Sequence, residues 1–248
     1  MLAAVSMLGC ASALAMTAAV AMPSRALAEK PAAPAAGGAG ATVRGSVTIL
    51  DRDGNPKASH AGVIVFLDEM DTRYEVAAKP ADQAIRQVDK KFIPEVLPVL
   101  AGTTVHFPND DIVAHNVFSL SRVAPFDLGI YPRGQTRSVV FEETGLVKIY
   151  CNIHSRMVAS IVVLANPWFT VTAEDGSFTL DNVPTGGATV RTWYPRTPQN
   201  SEQRLQVTEK GIYDLDLRLV EDLRLEVREE SLTIQHKNKW GKDYPSKY

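Results

Sequence analysis

Residues 146–164 read LVKIYCNIHSRMVASIVVL, and the fold is decided there. Two apolar runs, Leu146 to Cys151 and Ala159 to Leu164, flank a short polar segment, and runs of this length rich in Val and Ile read as strands. The segment between them carries Cys151, His154 and Met157 at intervals of three. Cys151 ends one strand and Met157 begins the next. A loop this short must turn three side chains toward one point.

Short apolar runs broken by turn residues continue on both sides. Upstream they fall at Val43 to Leu50, Gly62 to Leu67, Phe92 to Val99, Thr103 to Phe107 and Ser138 to Phe141. Downstream they fall at Phe169 to Thr172, Ser177 to Leu180, Ala188 to Trp193, Arg204 to Val207 and Tyr213 to Leu219. Asp51-Arg52-Asp53-Gly54-Asn55 and Asp175-Gly176 supply turn chemistry. Asp51, Asp53 and Asn55 also suggest a calcium loop, but the other ligand positions and the closing Glu are missing, which leaves a turn. The pattern predicts an all-β protein of two sandwiches, divided at Asn166-Pro167. A short helix is expected only within residues 72–90, where charge and Ala mix.

The 248 residues are 45% hydrophobic and 22% charged, enough apolar material for a real core. A formal charge of −2 gives no overall field that draws the chain to nucleic acid. Beyond the N-terminus no tract of 18 apolar residues occurs, so no transmembrane span is expected in the mature chain. Met1 to Met22, followed by Ala26-Leu27-Ala28, read as a signal peptide over residues 1–28, which predicts a periplasmic protein. A lipoprotein reading of Leu8-Gly9-Cys10 has too few apolar residues before the cysteine. Residues 29–42 form a flexible linker of Pro, Ala and Gly, and residues 221–248 a charged tail with Trp240, Tyr244 and Tyr248.

Removal of the leader takes Cys10 with it and leaves Cys151 alone. In an oxidising compartment an unpaired thiol calls for a partner, and metal ligation provides one. His115 lies in Val113-Ala114-His115-Asn116-Val117-Phe118 and must arrive from another strand pair. One thiolate, two imidazoles and one thioether, from Cys151, His115, His154 and Met157, are the ligand set of a single type 1 copper with a weak axial Met. Other candidates fare worse. His106 sits on a strand between Val105 and Phe107 and faces away from them, and His60 lies in a loop, so both read as surface. A cysteine hydrolase needs an oriented base and an oxyanion hole that no motif here supplies. The adjacent pairs Glu142-Glu143 and Glu229-Glu230 read as solvated charge.

The ligand segments resemble the copper-binding half of a cupredoxin, with amicyanin and plastocyanin as the nearest types. Cys151-x2-His154-x2-Met157 has the short spacing of amicyanin, and Asn109-x5-His115-Asn116-Val117 is similar to the segment that carries its first histidine. Gly145-x4-Tyr150-Cys151 resembles the approach to the family's final loop. The likeness covers residues 43–165 and is strongest from Gly102. It implies a Greek-key sandwich that binds one copper and transfers single electrons. It also implies that Asn109 ties the two ligand loops together and tunes the Cys151 sulfur. An apolar patch of Val113, Ala114 and Ile153 around His154 would meet a redox partner such as a c-type cytochrome or a periplasmic dehydrogenase, with Arg156 and the Asp110-Asp111 pair biasing orientation. Ile153 and Ser155 stand where the family often has Pro, and Ala159 where Gly is usual.

Residues 166–220 resemble a carboxypeptidase regulatory-like domain, a transthyretin-like β-sandwich, through Asp175-Gly176-Ser177-Phe178-Thr179-Leu180-Asp181-Asn182-Val183-Pro184-Thr185-Gly186 and Trp193-Tyr194-Pro195. The two modules together, with an ending at His236-Lys237-Asn238-Lys239-Trp240-Gly241-Lys242, are similar to bacterial periplasmic proteins labelled methylamine utilisation proteins. The expected function is electron carriage without enzymatic activity. Two rivals stand beside it: a Cu(I) storage or delivery protein built on the same ligands, and a metal-free adhesive or scaffolding module.

Overall fold

A computed structural model describes residues 40–74, 79–198, 200–208 and 211–222. The expected signal peptide, the linker up to residue 39, the Glu229-Glu230 pair and the tail beyond residue 222 lie outside the described residues. All elements among the described residues are strands. They are β1 (Ala41–Leu50), β2 (Ile64–Asp68), β3 (Gln83–Ala84), β4 (Arg86–Val88), β5 (Lys91–Ile93), β6 (Val96–Leu100), β7 (Thr103–Pro108), β8 (His115–Ser119) and β9 (Phe126–Tyr131). The chain continues through β10 (Thr136–Phe141), β11 (Gly145–Tyr150), β12 (Val158–Leu164), β13 (Phe169–Val171), β14 (Ser177–Val183), β15 (Gly186–Trp193), β16 (Glu202–Val207) and β17 (Ile212–Val220).

Strand pairing redraws the expected boundaries of 43–165 and 166–220. β1 lies between β14 and β17 in one sheet, and β2 lies between β13 and β15 in a second sheet of order β13-β2-β15-β16. Residues 166–220 alone therefore cannot build either sheet, because in each the strand that joins the others comes from before Asp68. The two sheets face each other across one core. Val43, Val47 and Ile49 of β1 and Leu215 and Leu217 of β17 meet Val65 and Leu67 of β2 and Val190 of β15. This host sandwich is interrupted between β2 and β13 by an insertion.

The insertion is a second sandwich. Its sheets are β10-β7-β3 and β6-β12-β11-β8-β9, with β4 and β5 paired as a ribbon. Val105 and Phe107 of β7 pack against Val147 and Ile149 of β11 and Ile161 and Val163 of β12. The helix expected within 72–90 is replaced, in residues 83–88, by β3 and β4. Ile85 and Gln87 alternate inward with no exposed surface, and Gln87 Nε2 donates to Tyr131 Oη at 2.7 Å and to the Phe107 carbonyl at 3.2 Å. Asp89 and Lys90 turn the chain between β4 and β5 with φ of 50° and 57°, the paired positive values of a type I′ hairpin.

β12 is apolar apart from the buried Ser160 and is covered on both faces, which explains why its sequence shows no polar alternation. Ala159, Ile161 and Val163 point into the core of the insertion. Val162 and Leu164 point the other way, onto Ile64 and Phe169 of the host, with Phe66, Trp193, Val96 and Leu100 around them. Sandwich and sandwich thus stack as four layers of sheet sharing a third apolar cluster.

Gly45 sits where β1 runs parallel to β17, and a Cβ there would lie 2.0 Å from the Leu215 carbonyl oxygen. Gly45→Val must push two backbones apart, so thermal or denaturant unfolding should show a loss of about 2–3 kcal/mol. An unchanged midpoint would mean that β1 is not held between β14 and β17.

Candidate metal centre

Antiparallel pairing places Tyr150, the last residue of β11, opposite Val158, the first of β12. Residues 151–157 must close that gap at the end of the sheet, and the Met157 N–H donates to the His154 carbonyl at 2.9 Å to tighten the turn. On the other side of β11, Phe118 pairs with Tyr150, which brings the start of β8 alongside the loop. His115 is that first residue.

Three donors converge. His115 Nδ1 lies 3.9 Å from Cys151 Sγ and 3.1 Å from His154 Nδ1, and His154 Nδ1 lies 4.0 Å from the same sulfur. Atoms held about 2.0–2.3 Å from one ion stand roughly 3–4 Å apart, so these spacings fit a shared cation. His115 has no exposed surface and Cys151 is 3% exposed. Met157 is 1% exposed and belongs to the same apolar cluster as Cys151. Only His154 reaches the edge of the pocket. Among the described residues this is the one cluster of three or more His, Cys, Asp or Glu with metal-holding spacing.

Asp111 orients the buried histidine. Its Oδ2 accepts from His115 Nε2 at 2.9 Å and from the Lys90 N–H at 2.6 Å, while Oδ1 accepts from the Ile112 N–H at 2.7 Å. A proton fixed on Nε2 leaves the Nδ1 lone pair facing the sulfur, as ligation requires. Burial raises the Asp111 carboxyl, but the Lys90, His115 and Ile112 donors together outweigh it and hold the group at about 2. Burial, with a smaller contribution from the neighbouring Lys90 charge, lowers His154 below its ordinary value.

Asn109, expected to tie the two ligand loops, places its side-chain hydrogen bonds elsewhere. Asn109 Nδ2 donates to the Val113 and Tyr131 carbonyls at 3.0 Å each, and its Oδ1 accepts from the Asp111 N–H at 3.0 Å. It shapes the segment before His115 and makes no hydrogen bond to the Cys151 loop. Asn116 ties the two ligand segments: its Oδ1 accepts from the Asn152 N–H at 3.0 Å, and its Nδ2 donates to Asp127 at 2.8 Å. Sequence reading also treats Asp110 and Asp111 as a surface pair. Asp111 is buried, and Asp110 is held by Arg86 Nε at 2.6 Å.

Among the described residues the two other histidines stand apart from the donors. His106 joins Ser138 Oγ at 2.7 Å and Asp82 at 3.1 Å on the outer face of its sheet. His60 is half-buried in the host, where its Nδ1 accepts from the Ile49 N–H at 3.1 Å, so it is a structural acceptor rather than plain surface.

No family model and no curated protein matches the chain. Among solved structures it is similar to a purple cupredoxin from Nitrosopumilus maritimus, at 29% identity over 33% of this chain and 98% of that one, with a TM-score of 0.31. It is similar to amicyanin from Paracoccus versutus at 21% identity, over 33% of this chain and 79% of that one, with a TM-score of 0.31. A third likeness is to the copper-containing nitrite reductase of Thermus scotoductus, at 25% identity over 38% of this chain, with a TM-score of 0.33. This chain spans 25% of that reductase's length.

Asp111→Asn should cost about 1.5–3 kcal/mol of stability in the metal-free chain, because a buried charge-assisted hydrogen bond is lost. The folded carboxyl lies at about 2 against an ordinary 3.8, so its contribution is complete above about pH 4 and fades as pH falls toward 2. Denaturant unfolding of both chains across that window should show the two stabilities converging on acidification. A gap that stays constant would deny the carboxylate this role.

Proposed function

We propose that the chain is a periplasmic copper protein that carries single electrons, with His115, Cys151, His154 and Met157 as its ligands. One observation carries the reading: a cysteine sulfur and two imidazole nitrogens, mutually within 4.8 Å, gather at the end of a sheet, with His115 and Cys151 buried and His154 half-buried. Soft sulfur with borderline nitrogen, and a thioether in the same cluster, is the donor chemistry of a type 1 copper site. Copper held there supplies a one-electron couple.

The rest is the work of this chain's residues. Burial of His115, Cys151 and Met157 keeps water from the donors. The Asp111 bond fixes the His115 ring, and the Asn116 bond fixes β8 to the Cys151 loop, so the donor positions are set by the fold. Such preorganisation favours little rearrangement when the charge at the site changes. With Met157 as the fourth ligand no position would be left for a substrate, which supports a carrier over an enzyme. The apolar leader over residues 1–28 supports export.

A visible spectrum with metal analysis tests this on the purified chain. The wild type should hold one copper and absorb intensely in the visible, Cys151→Ser should lose the band, and Met157→Leu should keep it while raising the reduction potential. A chain that binds copper yet stays pale would favour Cu(I) storage, and an unchanged spectrum in Cys151→Ser would remove the copper assignment.

A further inference from the structure

The outward row of β12 runs through Val158, Ser160, Val162 and Leu164, and it meets two different surroundings. Val162 and Leu164 lie in the apolar seam with the host. Ser160 and Val158, with their β11 partners Lys148 and Tyr150, line a cavity of about 160 Å³. The wall is completed by Glu95 and Val96 before and in β6, by Arg156 of the ligand loop, and by Pro195 and Arg196 of the host. Sites built for small molecules take roughly 300–1,000 Å³, so this space suits a few side chains of a polypeptide better than a cofactor.

The fold leads its own chain to that wall. β17 ends at Val220, the Glu221 N–H donates to the Leu50 carbonyl at 2.9 Å, and the Asp222 N–H donates to the Arg196 carbonyl at 2.7 Å. The Glu221 carboxylate is 4% exposed and is held by Lys57 and by Arg196 Nε, the latter at 3.4 Å. Asp222, the last described residue, is thus fastened to a residue of the cavity wall, and residues 223–248 follow it in sequence. They begin Leu223-Arg224-Leu225-Glu226-Val227-Arg228-Glu229-Glu230. Leu223, Leu225 and Val227 alternate with charge at the period of a strand with one covered face, and the same row runs on to Glu229.

We infer that residues 223–230 of the same chain occupy this cavity as an extended strap that ties the host to the insertion. Eight extended residues reach roughly 26 Å, enough to cross a cavity of this size. The apolar row has Val96, Val158 and Pro195 to cover, and the charges correspond. Lys148, Arg156 and Arg196 stand against Glu95 in the wall, with Arg196 already sharing Glu221 with Lys57, and the segment answers with three glutamates and two arginines. Because the segment is tethered at Asp222, a contact too weak to hold a separate peptide is populated within one chain. Arg156 precedes Met157, so the strap also joins the ligand loop to the host, whichever ion the donors hold.

Trypsin reads the strap on the purified full chain, because a docked bond is cut only in the fraction of molecules in which it has opened. Rates are taken for the bonds after Arg224 and after Lys239, each divided by the rate for the same bond in a synthetic peptide of residues 219–245. In the wild type the Arg224 bond should be cut at least tenfold more slowly than the Lys239 bond, which lies beyond the segment. Val227→Asp in the segment and Lys148→Glu in the wall should each raise the Arg224 rate at least fivefold and leave the Lys239 rate unchanged. Arg44→Glu, on the outer face of β1, should alter neither. The protection should be constant over a hundredfold range of chain concentration, as an intramolecular contact requires. Equal rates at the two bonds in the wild type, or protection of Arg224 that survives both substitutions, overturns the inference. Protection that grows with concentration overturns it as well, by assigning the cavity to the segment of a second copy.

Discussion

β12 has no face left for water. One row of its side chains closes the core of the insertion and the other row closes the seam with the host, so a seven-residue strand holds two sandwiches at once. The strand is also where the Cys151 loop lands. Any slip of β12 by one residue would turn Ile161 toward the host and Val162 toward the inner core and would drag Met157 away from Cys151. Register in this strand is therefore set by burial on two sides, and the donor geometry inherits that precision.

The donors themselves add little to stability without an ion; two ring nitrogens 3.1 Å apart and a nearby sulfur are held in place by neighbours rather than by each other. Asp111 is the clearest neighbour. Its charge is taken out of water but receives three N–H donors, which turns a costly buried carboxylate into a fixed support for His115. Asn116 does the analogous task for the backbone, joining a residue of β8 to a residue of the loop. Support of this kind reaches the donors from two directions, and neither depends on the ligand loop being stiff by composition.

Cys151, His154 and Met157 are legible in the sequence because their relation is local: one loop, regular spacing, a strand on each side. His115 is legible by chemistry, since a lone buried thiol needs partners. Asp111 and Asn116 are not, because what they do depends on which strands end up side by side. The alternation of Val43, Val47 and Ile49 shows that β1 has one buried face, but alternation does not name the sheet that buries it. Only the pairing with β14 and β17 assigns it to the host. Residues 83–88 mislead for another reason. Their inward positions are Ile85 and Gln87, and a polar residue at a core position breaks the two-residue period that a strand is read by.

The chain leaves the host at the end of β2 and comes back at β13, and those two strands are hydrogen-bonded neighbours, with Phe66 opposite Phe169. Antiparallel partners lie about 5 Å apart, so the host sees its long interruption as it would see a hairpin turn. Both ends of the insertion are anchored on the sheet it leans against, which restrains swinging in a way that a single linker does not. Such an arrangement also lends itself to modular change. A cassette whose ends nearly touch can be gained, lost or exchanged at a surface hairpin with almost no change to the sheets that carry it, and the host topology is left to diversify around whatever the cassette holds.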